Sequence, residues 1–213
     1  MMRPRWASLL GATIAAAAFA SAFGDDLEKL LNIADDNFRP IERPLDRPPF
    51  IHQKVITVTV DSLTSGWVAN YQCHRHFSNT SSLDIAFPPD DIRRVQIQEA
   101  NDIGAVRVHS NTIQLKDVTQ TSSLCFDSEN RVLRRESDNI YRLTAGPFYY
   151  RFLDGYFPIQ VDLKVGYPLS FLKVLRITPD ARAGIEVAES EGEVQVISLF
   201  EGKLWIEIVF AHN

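Results

Sequence analysis

An excess of basic charge is missing from this sequence. The net charge is −5 at pH 7. That balance argues against a nucleic-acid-binding surface, which needs a basic patch, and against docking on anionic lipid. Long hydrophobic runs are missing beyond the N-terminal segment, so no later stretch reaches the length a membrane-spanning helix needs. The usual catalytic signatures are missing too. There is no Gly-x-Ser-x-Gly elbow, no His-Glu-x-x-His and no Gly-rich phosphate loop. No sequence repeat recurs at a fixed period. Cysteine is scarce: Cys73 and Cys125 are the two present, and no Trp lies between them, which excludes the immunoglobulin pattern.

What is there begins with an export signal over residues 1–22. Arg3 and Arg5 form its positive region, Ala7 to Phe19 its apolar region, and Ala20-Ser21-Ala22 a small-x-small cleavage site. Ala18-Phe19-Ala20 offers a second such site. No cysteine stands near either one, so no lipoprotein anchor is expected. The expected location is the periplasm or the medium. In an exported chain an even pair of cysteines reads as a disulfide, here Cys73 with Cys125. Closing so long a loop contributes about 4 kcal/mol in the chain-entropy account.

Residues 23–50 read as a short helix and a connector. Leu27, Leu30, Leu31 and Ala34 recur at helical spacing behind Asp25 and Asp26, which can cap the first turn. Pro40, Pro44, Pro48 and Pro49 then favour extended chain. From there the pattern is strand. Hydrophobic content of 45% with 23% charged residues is that of an ordinary globular protein. Many short strands punctuated by Gly and Pro indicate an all-β protein, a β-sandwich built as one large or two small packed units. Residues 51–145 form a first β-rich half holding the disulfide, and residues 146–213 a second.

Two turns stand out in the second half. Asp154-Gly155 predicts a two-residue hairpin. In that register Leu153 faces Tyr156, Phe152 faces Phe157, Tyr150 faces Ile159 and Phe148 faces Val161, with the aromatic set on one inward face. Glu201-Gly202 predicts a second hairpin, with Leu204, Ile206, Ile208 and Phe210 on one face of its last strand. In the strand from Gly66 to Phe77, period two separates Trp67, Ala69, Tyr71 and Cys73 from Asn70, Gln72, His74 and His76. The expectation is that Trp67 and Tyr71 turn inward and both histidines outward.

Several pieces carry a resemblance. They are Gly66-Trp67-Val68, Tyr71-Gln72-Cys73-His74, Leu124-Cys125-Phe126, Arg151-Phe152-Leu153-Asp154-Gly155-Tyr156 and Phe200-Glu201-Gly202-Lys203-Leu204. In these the chain resembles a family of exported proteobacterial proteins of unknown function. The pieces cover most of the chain after the leader and are structural in character. The resemblance therefore implies no activity and carries no functional residue over.

Candidate chemistry is thin. His74 and His76, two apart on a strand, project to the same side and would offer two ligands to a metal ion. The plainer reading is two solvated side chains. Tyr149, Arg151 and Tyr156 share the outward side of the central hairpin, where flat aromatics beside an Arg suit stacking on a carbohydrate or anchoring a protein partner. The plainer reading there is a second packed layer. No cofactor is called for. The sequence thus points to an exported, non-enzymatic binding or assembly protein. A periplasmic metal-binding module using His74 and His76 is the first rival, and a hydrolase with an unrecognised acid pair the second.

Overall fold

The computed structural model describes residues 37–152 and 155–213. The expected leader, the helix expected at Asp25 to Ala34, and Leu153 and Asp154 of the central stretch lie outside them. The described chain is mostly strand. In order, the elements are β1 (Arg39–Pro40), β2 (Phe50–Thr57), a one-and-a-half-turn helix α1 (Val60–Ser65), β3 (Trp67–Arg75), β4 (Thr80–Ala86), β5 (Ile92–His109), β6 (Thr112–Arg131), β7 (Leu133–Arg135) and β8 (Ile140–Phe148). Then come β9 (Arg151–Phe152), β10 (Gly155–Tyr156), β11 (Ile159–Gly166), β12 (Leu172–Thr178), β13 (Ile185–Ser190), β14 (Glu193–Glu201) and β15 (Leu204–His212).

These strands form a nine-stranded sheet, a four-stranded sheet and the small β9–β10 pair, all open rather than closed into a barrel. The nine-stranded sheet runs β1-β14-β11-β2-β3-β6-β4, with β13 on β14 and β5 on β6. The four-stranded sheet runs β12-β15-β8-β7. The two halves of the chain interleave, since β2 lies parallel to β11, Phe50 beside Ile159 through Thr57 beside Gly166. One hydrophobic cluster draws on both sheets, with Ile56, Phe126, Val161, Leu163 and Val196 from the larger and Leu143, Ile206 and Phe210 from the smaller.

Both expected hairpins are corrected. β8 belongs to the four-stranded sheet and β11 to the nine-stranded one, so the central stretch passes between sheets. The pairing there is two residues long and two residues out of the expected register, with Phe152 opposite Gly155, not Phe157, and Arg151 opposite Tyr156. Gly155 sits at φ 130°, outside the left-handed helical region that a type I′ turn requires. Phe148, Tyr150, Ile159 and Val161 are buried as expected, but Phe152 and Phe157 are only half-buried. Likewise β14 and β15 fall in different sheets, so Glu201–Lys203 is a crossing and not a hairpin. Gly202 is required at that crossing: its φ is 92°, and a Cβ there would lie 1.9 Å from the Asn37 carbonyl oxygen.

The disulfide joins Cys73 to Cys125, which face each other across β3 and β6. β5 and β6 form one long bent hairpin. Register shifts at Arg93/Gln96, Ile97/Glu99 and Asn101/Ile103 bend it. Among the described residues no helix is long and apolar enough to cross a membrane.

Candidate functional site

The inner face of β2 carries Phe50, His52, Lys54 and Ile56, and that of β3 carries Val68, Asn70, Gln72 and His74. The antiparallel register places His52 opposite His74, Lys54 opposite Gln72 and Ile56 opposite Asn70. Directly opposed residues share a face. The result is a polar patch in the middle of an otherwise apolar sheet. Its flanks are apolar, with Val161 and Leu163 on β11 and Leu124 and Phe126 on β6.

This reverses the inward–outward reading of β3. His74 is 4% exposed, whereas Tyr71 is 42% exposed. Trp67 is half-buried on the outer face, with the Arg93 guanidinium 4.1 Å above its ring. Tyr71 Oη lies 3.2 Å from Cys73 Sγ on that same outer face. The physical reason is the partner strand. On β6, Leu124 and Phe126 point one way while Cys125, Asp127, Glu129 and Arg131 point the other. Burying Leu124 and Phe126 turns Cys125 outward, and the cross-strand disulfide turns Cys73 outward with it. Gln72 and His74 must then face in. Joining the disulfide to the alternation of β6 was the sequence signal that could have found them.

The expected pairing of His74 with His76 does not form. β3 ends at Arg75, His76 takes φ 57°, and its Nδ1 lies 3.3 Å from the Pro49 carbonyl oxygen. The histidine beside His74 is His52, with ring centroids 4.3 Å apart. His52 Nε2 donates to Gln72 Oε1 at 3.0 Å, because an amide oxygen can only accept. The His74 ring sits among aromatics, stacked on Phe126 at 5.7 Å and near Phe50 at 5.6 Å. Among the described residues neither of its ring nitrogens has a hydrogen-bond partner, and neither does Gln72 Nε2.

Lys54 completes the patch. It is 8% exposed, and its ammonium lies 6.0 Å from the Phe148 ring centroid. Among the described residues no carboxylate pairs with it. Burial pushes its pKa down to about 8. Burial, then the nearby Lys54 charge, pushes His74 down to about 3. Burial, with His74 and Lys54 adding to it, holds His52 well below 6.5 against the opposing effect of the hydrogen bond it donates to Gln72. At neutral pH the patch is therefore one cation beside two neutral imidazoles and two primary amides, those of Asn70 and Gln72.

His52, Lys54, Gln72 and His74 line a cavity of ≈ 840 Å³. Small-molecule sites commonly span about 300–1,000 Å³. Phe50, Phe77, Leu83, Ile85, Phe87 and Phe148 supply apolar wall. Arg131, Arg134, Arg151, Tyr149 and Trp205 stand at the exposed side. Of the lining acids Asp84, Asp91 and Glu136, the last is held by Arg142, which also pairs with Glu207. The outward trio of the sequence reading does come together. Arg151 lies 5.4 Å from the Tyr156 ring, and Tyr149 meets Tyr156 edge-on at 6.3 Å. Tyr149 and Arg151 border the cavity.

Where it lines the cavity, at Lys54 and the Gln72 amide nitrogen, the patch is suited to donate. A metal cation is disfavoured by the Lys54 charge, and among the described residues no group of three His, Cys, Asp or Glu side chains could hold one. Fold and site together define an open, multi-sheet β protein with a polar-floored cavity. The chain matches no protein-family model, and none of the curated proteins is similar to it.

Proposed function

We propose that this is an exported β-sandwich protein that binds a small molecule in the cavity between its two sheets. One observation carries the reading: a buried, unpaired set of polar groups forms the floor of an apolar-walled cavity. Interiors normally satisfy such groups, because each buried donor without a partner costs about 1–3 kcal/mol. A chain that retains several of them beside open volume is built to satisfy them with something that comes from outside. The leader-like N-terminus and the disulfide support export, as does the resemblance to exported proteobacterial proteins. Tyr149, Arg151 and Trp205 then border the entrance rather than form a separate surface.

Native mass spectrometry of gently purified, exported protein tests this. The expected spectrum shows a chain beginning at Phe23 or Ser21 and carrying one small molecule that is lost on denaturation. The Lys54→Met and His74→Phe variants should lose the adduct while remaining folded. A folded wild-type chain that stays bare, and takes up no neutral apolar dye such as Nile red, would contradict it.

A further inference from the structure

The polar floor does more than mark a cavity, and the following rests on the small-molecule reading above. From the unpaired Lys54 ammonium, the unpartnered Gln72 amide nitrogen and the unpartnered His74 ring at the base of one apolar-walled cavity, we infer that the ligand is an amphipathic monocarboxylate. Its carboxylate sits on Lys54, Gln72 and His74, and its apolar tail lies along Phe50, Phe77, Leu83 and Phe87.

The charge argument comes first. Lys54 is the formal charge in the floor, and no carboxylate among the described residues neutralises it. A buried cation without a counter-ion is strongly disfavoured, so the floor demands an anion. The donor count comes next. Lys54 offers three N–H groups, Gln72 its free amide N–H, and a neutral His74 one ring N–H. A carboxylate has about four lone-pair positions, which this set can fill. A single ammonium matches a single negative charge. Because His52 and His74 remain neutral, they add no second positive charge for a phosphate dianion.

The walls fix the rest. Phe50 stacks on Tyr150 at 4.2 Å and lies 5.3 Å from Phe77, a rigid aromatic side to the cavity. Tyr150 is itself held, its hydroxyl accepting from the Ser78 amide at 2.7 Å. Leu83, Ile85 and Phe87 extend the apolar wall from β4 and the turn after it. Such a surface favours hydrocarbon over a polyhydroxylated tail. The arginines at the exposed side, Arg131, Arg134 and Arg151, draw an anion toward the entrance.

Calorimetric titration with decanoate, decanol and decylamine, which share a tail and differ in head group, tests the inference. Decanoate should bind with one site per chain, at least about tenfold tighter than decanol, since a hydrogen bond to a charged group is worth that much. Decylamine should bind more weakly than either. In Lys54→Met the preference for decanoate over decanol should vanish while decanol binding persists. Decanol binding as tightly as decanoate in the wild type would overturn the inference, and that comparison needs no variant. So would decanoate binding unchanged in Lys54→Met. If no decyl compound binds although a small molecule co-purifies with the protein, the ligand class is wrong and the small-molecule reading stands. If nothing co-purifies and Nile red is also excluded, both fall.

Discussion

Lys54 is a buried cation with no carboxylate partner among the described residues. Burial lowers its pKa to about 8 from the ordinary 10.5. Between those values the unfolded chain holds the proton and the folded chain has released it. Stability therefore rises with pH across that window, and below about 8 the full penalty stands. The shift corresponds to about 3 kcal/mol. Methionine has a similar length and no charge, so Lys54→Met should stabilise the ligand-free protein by about 3 kcal/mol at neutral pH. Denaturant melts should also show that the variant lacks the wild type's gain between pH 8 and 10.5. Equal stabilities at neutral pH would mean that the ammonium already has a counter-ion.

Elements obey the same physics but conceal it differently. The strands, the disulfide and the apolar faces of β11, β14 and β15 were legible, because period-two alternation is a local property. Which strands share a sheet was not. In a hairpin, two apolar faces lie side by side; across a core, they meet head on. Both arrangements produce the same sequence pattern, so Phe148 to Val161 and Phe200 to Phe210 read as hairpins when each passes between sheets. The crossing also relaxes the packing of its own tip. Phe152 touches Tyr150 and Phe157 edge-on, at 5.1 and 5.5 Å, yet stays half-buried. Phe126, within β6, is wholly buried. Phe126→Ala should therefore cost about 3–5 kcal/mol and Phe152→Ala less than half of that. Equal losses in denaturant melts would place Phe152 in a continuous core.

At the scale of the whole molecule, the part of the fold that sequence reasoning inverted is the part that forms the cavity. Trp67, Tyr71 and Cys73 are the bulkier, more apolar set on β3, and ordinary partition would bury them. They face out because β6 presents Asp127 and Glu129 on that side and Leu124 and Phe126 on the other. The neighbour's pattern overrides the strand's own, and Asn70, Gln72 and His74 go inward. His52 and Lys54 could not be singled out before the register was known, because β2 has polar residues at both parities.

The central claim is that the polar face of β3 lines the interior. It is tested most directly by following the five histidines through a pH titration by NMR. His74 should remain neutral as the pH falls through 6.5 and should take up a proton only near pH 3, if the fold survives so far. Over that same range the unfolded chain binds a proton that the folded chain refuses, so stability should fall as the solution is acidified. A His74 ring that titrates near 6.5, as a solvated histidine does, would put that face in water and contradict the account.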